Sequence, residues 1–241
     1  MKKNGFTLAE VLITLAIIGV VATMTLPALM SNTQEQQAKS ALKKGINTLT
    51  EAAATAQAID GIDFGTIRTM GNNDTADAEV ITPNSFYGIL TNRTQVDFSK
   101  TIGAIVAQQE ADNVAIVTQT DQVDRAVILR DGSAILYNSQ QDLSSNPGGA
   151  LSVAWDGLPV GFVIVYDTNG LKQPNILSNC NGTAAGELEN FTGRYGTTAP
   201  TASDDIACPK ANRVIRDQFA LRLRGTQVVP EGMAAEWAYN N

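Results

Sequence analysis

Hydrophobic and polar residues divide the chain into an apolar beginning, a helical continuation and a β-rich remainder. Residues 11–30 are predominantly apolar, and no Asp, Glu, Lys or Arg occurs at residues 11–34. A helix of about 20 residues is long enough to cross the hydrocarbon layer of a bilayer, which is roughly 30 Å thick. The pattern therefore predicts a membrane-spanning helix, with the charge of Glu10 at its front edge.

Apolar residues continue beyond this segment with a helical spacing. The spacing i, i+3 or i+4, and i+7 is typical of one face of an amphipathic helix. A single helix is predicted from Thr7 to Ile59, and Pro27, which lacks a backbone donor, is predicted to kink or locally unwind it. The predicted apolar face consists of Ala38, Ala41, Leu42, Gly45, Ile46, Leu49, Ala52, Ala53, Ala56 and Ile59.

The remainder of the chain has the pattern of an antiparallel sheet, so an α+β fold is expected in which the long N-terminal helix packs on the sheet. Residues 60–112 are expected to be loops with room for one short element, and residues 146–161 a loop anchored by Trp155. Asp131-Gly132 is a strong signal for a hairpin turn. Strands are predicted at residues 113–119, 126–130, 133–138, 161–167 and 217–224.

Composition narrows the function. The 241 residues contain 17 Lys and Arg against 24 Asp and Glu, a net charge of −7, which argues against a general polyanion binder. There is no histidine, so a Ser-His-Asp triad, a Cys-His dyad and HExxH zinc chemistry are excluded. An enzyme is therefore not expected.

The two cysteines, Cys180 and Cys208, lie far from the apolar segment. An even pair in an exported domain favours a disulfide, which would tether the polar excursion at residues 179–211, although two unpaired thiols are the alternative. A zinc site would normally need four ligands, and the cysteines have no such neighbours in the sequence.

Charge around the apolar segment predicts its orientation. Lys2 and Lys3 precede it, and no positive charge follows immediately, so the amino terminus is expected to stay cytoplasmic and the rest to be exported. An ordinary cleaved signal peptide is the rival interpretation. The run is too long for a usual apolar signal region, no A-x-A site follows it, and a helical pattern continues beyond it.

The first 30 residues resemble the class III signal of type IV pilins and of type II secretion pseudopilins. The residues that carry the resemblance are the leader "KKNG" followed by "FTLAE", then an apolar run that contains Pro27. The resemblance implies that a prepilin peptidase cuts after Gly5 and methylates the new amino terminus at Phe6. It also implies assembly roles for Glu10, the glutamate at the fifth mature position, and for Pro27, the helix-breaking proline.

Glu10 has a physical rationale in such a protein. Cleavage after Gly5 creates a charged amine in an apolar environment, where an unpaired charge is heavily penalised. A carboxylate from an adjacent subunit is the natural partner, so Glu10 is expected to set the register between subunits. We expect Glu10→Ala or Glu10→Val to insert into the membrane normally but to enter filaments poorly.

The stretch "DTNGLKQPN", residues 167–175, raises the question of a metal. Oxygen ligands two residues apart near a glycine turn suit Ca²⁺, but the EF-hand spacing is absent. Major pseudopilins carry a calcium site in their carboxy-terminal loops, so Asp167, Asn169 and Asp217 are candidate ligands by resemblance of setting. The alternative is a hairpin turn whose Asn and Asp side chains bond their own backbone. No other cofactor is expected.

A local basic cluster near the carboxy terminus raises the question of DNA, since some family members in DNA uptake bind it through basic stripes. A solvated face or ion pairs between subunits are the commoner outcome, and nucleic acid is not an expected partner. The cluster consists of Lys210, Arg213, Arg216, Arg222 and Arg224.

The sequence thus predicts a leader (1–5), a transmembrane helix (6–30), an amphipathic continuation (31–59) and an exported globular domain (60–241). The expected function is that of a structural filament subunit in the inner membrane, a secretion pseudopilin or minor pilin in preference to a major pilin. Its expected partners are prepilin peptidase, other subunits, an inner-membrane assembly platform and the bilayer. A single-pass anchored binding module and a DNA-uptake pseudopilin are the alternatives.

Overall fold

The structure is a computed structural model that describes residues 7–71, 84–101, 123, 125–139, 143, 161–170, 172, 175–180 and 208–241. By the density of their internal contacts, these residues belong to two compact units, residues 1–37 and residues 38–241. The predicted strand at residues 113–119 and the predicted Trp155 anchor lie outside the described residues, as does most of the excursion at 179–211.

Helix α1 (Leu8–Asp60) follows the predicted helix to within one residue at each end. The predicted apolar face is buried from Ala38 to Ala56, except that Ala41 is only half-buried. The prediction is wrong for Ile59, whose side chain is 65% exposed at the end of the helix. The apolar face therefore stops one turn before the helix does.

The described strands form one antiparallel sheet whose order follows the chain, β1 to β6, so neighbouring strands are also neighbours in sequence. Tyr166 on β4 lies opposite Ile135 on β3 and opposite Phe219 on β5. These three side chains and the buried face of α1 belong to the same hydrophobic core. The strands are β1 (Val96–Thr101), β2 (Arg125–Leu129), β3 (Ala134–Tyr137), β4 (Phe162–Asp167), β5 (Gln218–Arg224) and β6 (Gln227–Pro230). The α+β fold with a long amino-terminal helix is confirmed.

The predicted hairpin joins β2 to β3. Gly132 has a φ of 88°, a backbone conformation that glycine adopts without strain. The Asp131 carboxylate accepts hydrogen bonds from the backbone N–H of Ser133 (3.0 Å) and from its hydroxyl (2.6 Å). The turn is therefore stabilised by hydrogen bonds between its own residues.

Residues 60–112 contain more structure than predicted. Besides β1, they form helix α2 (Phe86–Arg93), whose first turn is capped by the Ser85 hydroxyl accepting from the Gly88 N–H at 3.0 Å. Helix α3 (Met233–Asn240) follows β6 at the carboxy terminus.

Aromatic side chains fill the core between α2 and the sheet. Phe86 makes edge contacts with Phe64, Tyr137 and Phe162, at centroid distances of 5.8, 5.2 and 5.2 Å. Edge-to-face pairs of this kind stabilise a core beyond the apolar area they bury. The aromatic cluster therefore explains why α2 forms although its sequence has little helical periodicity.

Candidate assembly segment

The start of α1 is a reciprocal capping box between Thr7 and Glu10. The Thr7 N–H and the Thr7 hydroxyl both donate to Glu10 Oε2, each at 2.8 Å, and the Glu10 N–H donates to the Thr7 hydroxyl at 3.3 Å. A threonine before a helix and a glutamate three residues later satisfy two backbone donors that the helix leaves free. Both bonds to the carboxylate use Oε2, and Glu10 Oε1 accepts no hydrogen bond from the described residues.

The segment Leu8–Thr25 is long and apolar enough to span a membrane, with a mean hydropathy of 2.2, and none of it is buried in the protein. A run of exposed large apolar side chains is unusual in a soluble chain and marks a surface for lipid or for another protein. The side chains that are more than half exposed include Leu12, Ile13, Leu15, Ile17, Ile18, Val20 and Val21.

Threonine hydroxyls within the apolar segment are satisfied by the helix itself. Thr14 donates to Val11 O at 2.9 Å, and Thr23 donates to Val20 O at 2.9 Å. Thr25 donates to Val21 O at 3.0 Å. Because a hydroxyl bonded to its own backbone has little need of water, these threonines do not oppose burial in lipid or protein. Glu10 is the one charged side chain in the segment Leu8–Thr25.

The two predicted processing residues, Gly5 and Phe6, lie outside the described residues. Pro27 lies inside α1, which is helical on both sides of it. Local unwinding at Pro27 is therefore not part of this conformation, and a kink there stays a prediction.

The three candidate calcium ligands lie together where β4 ends and β5 begins. Asp167 is fully buried and Asp217 is nearly so. Burial raises the pKa of Asp167 to about 8, against the lowering effect of a hydrogen bond from Gln218, and the facing Asp217 carboxylate raises it further. Burial also raises the pKa of Asp217. Two buried carboxylates that face each other disfavour each other's charge.

Hydrogen-bond donors occupy the carboxylate oxygens of this cluster. Asp167 Oδ1 accepts from the Asn169 N–H at 3.1 Å, and Asp167 Oδ2 accepts from Gln218 Nε2 at 2.8 Å. Asp217 Oδ2 accepts from the Asn175 N–H at 2.7 Å, and its Oδ1 accepts from the Ile176 N–H at 3.2 Å. With its amide turned so that nitrogen faces the cluster, Asn175 also donates to Asp167 Oδ2 at 3.2 Å.

This donor set does not fit a calcium ion. Calcium takes six to eight oxygen ligands, whereas here N–H groups point at the carboxylates. Among the described residues, no group of three or more acidic, histidine or cysteine side chains is arranged to hold a metal. The bond from Asn169 N–H to Asp167 is instead that of an Asx turn. The geometry favours the turn interpretation, and the calcium site stays an untested prediction.

Cys180 and Cys208 form the predicted disulfide, with their Cα atoms 5.2 Å apart. It joins the chain just after Asn179, whose backbone N–H donates to Val214 O at 2.9 Å, to the segment that leads into β5. The two ends of the intervening excursion are therefore held together covalently and by backbone hydrogen bonds.

The basic cluster is not a continuous exposed stripe. Arg222 is buried and forms a two-bond ion pair with Glu231, at 2.9 and 3.0 Å. Arg224 is also buried, and Arg213 lies 3.4 Å over the ring centroid of Trp237. A solvated face was one of the outcomes expected for this cluster, and for Arg222 and Arg224 that expectation is wrong. Arg222 and Arg224 are therefore not available to DNA, whereas Lys210 is exposed.

Two features of these sites were missed in the sequence, for different reasons. The Thr7–Glu10 box was readable, because a threonine three residues before a glutamate at a helix start is its usual signature. The contact between Arg213 and Trp237 carried no local signal, since the two residues are far apart in sequence.

Comparison with known proteins supports the signal that the sequence predicts at the start of the chain. A family model described as the prokaryotic N-terminal methylation motif matches residues 1–26. Comparison with curated proteins and with solved structures finds no match. The apolar helix and the motif together fit a membrane-anchored, single-pass protein. The motif's family is structural rather than catalytic. The chain therefore carries the N-terminal methylation signal of type IV pilins and pseudopilins, the substrates of prepilin peptidase.

Proposed function

We propose that this protein is a structural subunit of a type IV filament, either a secretion pseudopilin or a minor pilin. It is cut after Gly5, methylated at Phe6 and polymerised through the first half of α1. The observation that carries the proposal is the exposed apolar segment Leu8–Thr25, whose one charged side chain belongs to Glu10. Before assembly, lipid covers this segment; in the filament, the same segments of other subunits cover it.

The geometry of Glu10 supports a role in pairing subunits. Thr7 bonds only Oε2, so Oε1 remains available to the Phe6 amine of an adjacent subunit. An ion pair between that amine and Glu10 neutralises two charges that would be costly alone in an apolar environment. Docking a subunit one step out of register would leave both charges unpaired.

The location and partners follow from this assignment. The protein waits in the inner membrane with its amino terminus in the cytoplasm and residues 60–241 exported. Prepilin peptidase processes it, and an inner-membrane assembly platform lifts it from the bilayer into the filament. Pro27 lacks a backbone donor, so it is the residue at which α1 would bend most easily between the two settings.

Intact mass of the membrane-extracted protein tests processing. The expected mass is that of a chain beginning at Phe6 with one added methyl group. Retention of Met1 would support a plain membrane anchor, and cleavage beyond Met24 would support an ordinary signal peptide. Either result contradicts the proposal.

Variants at Glu10 test assembly. Glu10→Gln keeps an oxygen for the Thr7 bonds but removes the charge, whereas Thr7→Val removes the hydroxyl and leaves the charge. We expect Glu10→Gln to be processed and inserted normally but to be depleted from sheared filaments by about tenfold, the effect of roughly 1.4 kcal/mol. Normal incorporation of Glu10→Gln would sink the pairing role, and a defect in Thr7→Val alone would assign the effect to capping.

A further inference from the structure

Cations from two distant parts of the chain meet at Trp237. Lys39 Nζ on α1 lies 3.9 Å from the ring centroid, and the guanidinium carbon of Arg213 lies 3.4 Å from it. Lys43 lies one turn after Lys39 on the same face of α1. Lys210 lies in the turn that leads to Arg213. We call these four cations and the tryptophan the Trp237 surface.

The outer cations of this surface have no partner within the protein. Lys43 and Lys210 are exposed, and Arg213 is half-buried. In the described part of the chain, none of these three side chains makes a hydrogen bond to an acceptor or an ion pair with a carboxylate. Contact with an aromatic ring does not use up the N–H donors of a guanidinium, so those of Arg213 remain available for oxygen ligands.

The charge of the Trp237 surface is opposite to that of the whole chain. The sequence has 17 Lys and Arg against 24 Asp and Glu. Among the described residues, the acidic neighbours of the surface in sequence are Glu35, one turn before Lys39, and Glu236, beside Trp237. Four cations against two carboxylates leave an excess of positive charge in a protein that is otherwise acidic.

The surface is also close in sequence to the membrane-spanning segment. Leu8–Thr25 is apolar enough to span a membrane, and the predicted spanning helix ends at Met30. Eight residues separate Met30 from Lys39. The anchor therefore presents a lipid surface to these cations at high effective concentration. Tryptophan suits the level of the lipid head groups, because its ring is apolar and its N–H is polar.

We propose that the Trp237 surface binds anionic phospholipid head groups of the membrane that holds α1. The arginine and the lysines meet the lipid phosphates, and the tryptophan ring lies among the head groups. Each basic residue near an anionic membrane adds a modest attraction that salt screens, so the attachment is reversible. The proposal rests on membrane anchoring and not on polymerisation.

Charge favours lipid over nucleic acid as the partner. The net charge of −7 makes the whole chain repel an extended polyanion. A lipid head group is a single anion, which a local cluster of cations can meet without bringing other charges close to the protein. The bilayer is also already attached to the chain, whereas DNA would have to be captured from solution.

Amide hydrogen exchange of the full-length protein in nanodiscs tests the proposal. The nanodiscs contain either phosphatidylcholine alone or a mixture of phosphatidylcholine and phosphatidylglycerol. We expect exchange of residues 208–216 to be about fivefold slower with phosphatidylglycerol at low salt, and the difference to disappear at high salt. Exchange of β4 should be the same in both lipids. Equal exchange of residues 208–216 in the two lipids overturns the proposal.

Charge variants test whether the Trp237 surface binds the lipid. Lys43→Glu/Lys210→Glu, at two exposed positions, should abolish the slowing, whereas Lys43→Arg/Lys210→Arg should keep it. The matched control is Arg68→Glu/Arg130→Glu, which makes the same change in charge at exposed positions outside this surface. Slowing that persists in Lys43→Glu/Lys210→Glu, or an equal loss in the control, overturns the proposal.

Duplex DNA added to the protein in detergent tests the rival ligand. If DNA slows exchange of residues 208–216 as strongly as phosphatidylglycerol does at the same salt concentration, the surface is a general polyanion site and the lipid proposal is overturned. Nanodiscs hold unassembled protein, so none of these results bears on polymerisation. Intact mass and the Glu10 variants test that function separately.

Discussion

The ring of Tyr166 lies directly against the α1 backbone at Gly45. A Cβ atom built at Gly45 would be 2.3 Å from Tyr166 Cζ, far inside van der Waals contact. Tyr166 is buried, and its pKa is raised to about 12, chiefly by burial. The absence of a side chain at residue 45 therefore sets how closely the helix approaches the sheet.

Gly45→Ala should destabilise the unit of residues 38–241 although alanine favours helix. The gain in helix propensity is about 1 kcal/mol, and forcing a methyl group into a packed core costs about 1–3 kcal/mol. We expect Tm, measured by circular dichroism in detergent, to fall by several degrees. Gly19→Ala is the control, because a Cβ there meets no atom within 4 Å. An unchanged Tm for Gly45→Ala would show that the sheet gives way to the methyl group.

Trp237 ties α3 to α1. Lys39 Nζ lies 3.9 Å from the ring centroid and the Arg213 guanidinium 3.4 Å from it, so the two cations must occupy opposite faces. We expect Trp237→Leu to lower the free energy of unfolding by about 2 kcal/mol. Amide exchange of residues 38–46 should rise more than that of β4. Tyr239→Leu, at an exposed position, should change neither; equal exchange increases everywhere would contradict a local role for Trp237.

Features that depend on residues close together in the sequence could be predicted from local sequence signals. The Asp131-Gly132 turn and the buried stripe of α1 follow from turn chemistry and helical spacing, and the structure has both. Strand β6 was missed because it is four residues long and ends in Pro230, a residue that argues against a central strand. It forms nevertheless, since an edge strand needs hydrogen bonds on one side only.

Burial of charged residues was the main feature that the sequence did not reveal. The sequence placed Arg222 in a basic cluster for which a solvated face was one expected outcome, but its side chain is buried. Its partner Glu231 lies beyond the next strand, and only the pairing of β5 with β6 brings the two together. Likewise, the structure brings Asp167, Asn169 and Asp217 together, but the N–H donors around the two carboxylates depend on the path of residues 175–176, which no spacing rule predicts.

The Arg222–Glu231 pair gives a prediction that separates stability from DNA binding. Arg222→Ala leaves Glu231 buried without its partner and should cost about 3–5 kcal/mol. The double variant Arg222→Met/Glu231→Leu should regain most of this loss in thermal unfolding, because apolar residues can replace a buried pair. If the single variant kept its stability and instead lost salt-dependent binding to duplex DNA, the arginine would be a DNA contact.

Calcium should have little effect on thermal stability. The carboxylate oxygens of Asp167 and Asp217 already accept N–H donors, and binding calcium would require those bonds to break. We expect the same Tm, within error, in excess chelator and in millimolar calcium at pH 7. A rise in calcium that is lost in Asp217→Asn would establish the calcium site and refute the turn interpretation.

Asp167 should make the folded protein less stable as pH rises from 5.5 to 8.5. Its pKa is raised to about 8 in the folded protein, against about 3.9 in an unfolded chain. Unfolding therefore releases a proton in this window, so higher pH favours unfolding, and Asp217, whose pKa is also raised, acts in the same direction. The chain has no histidine to add a titration there. We expect Tm to fall by about 5–10 °C across the window.

Asp167→Asn cannot ionise and should flatten the profile, whereas Asp97→Asn, at an exposed position, should follow the wild type. A wild-type slope in Asp167→Asn would mean that another group carries the pH dependence.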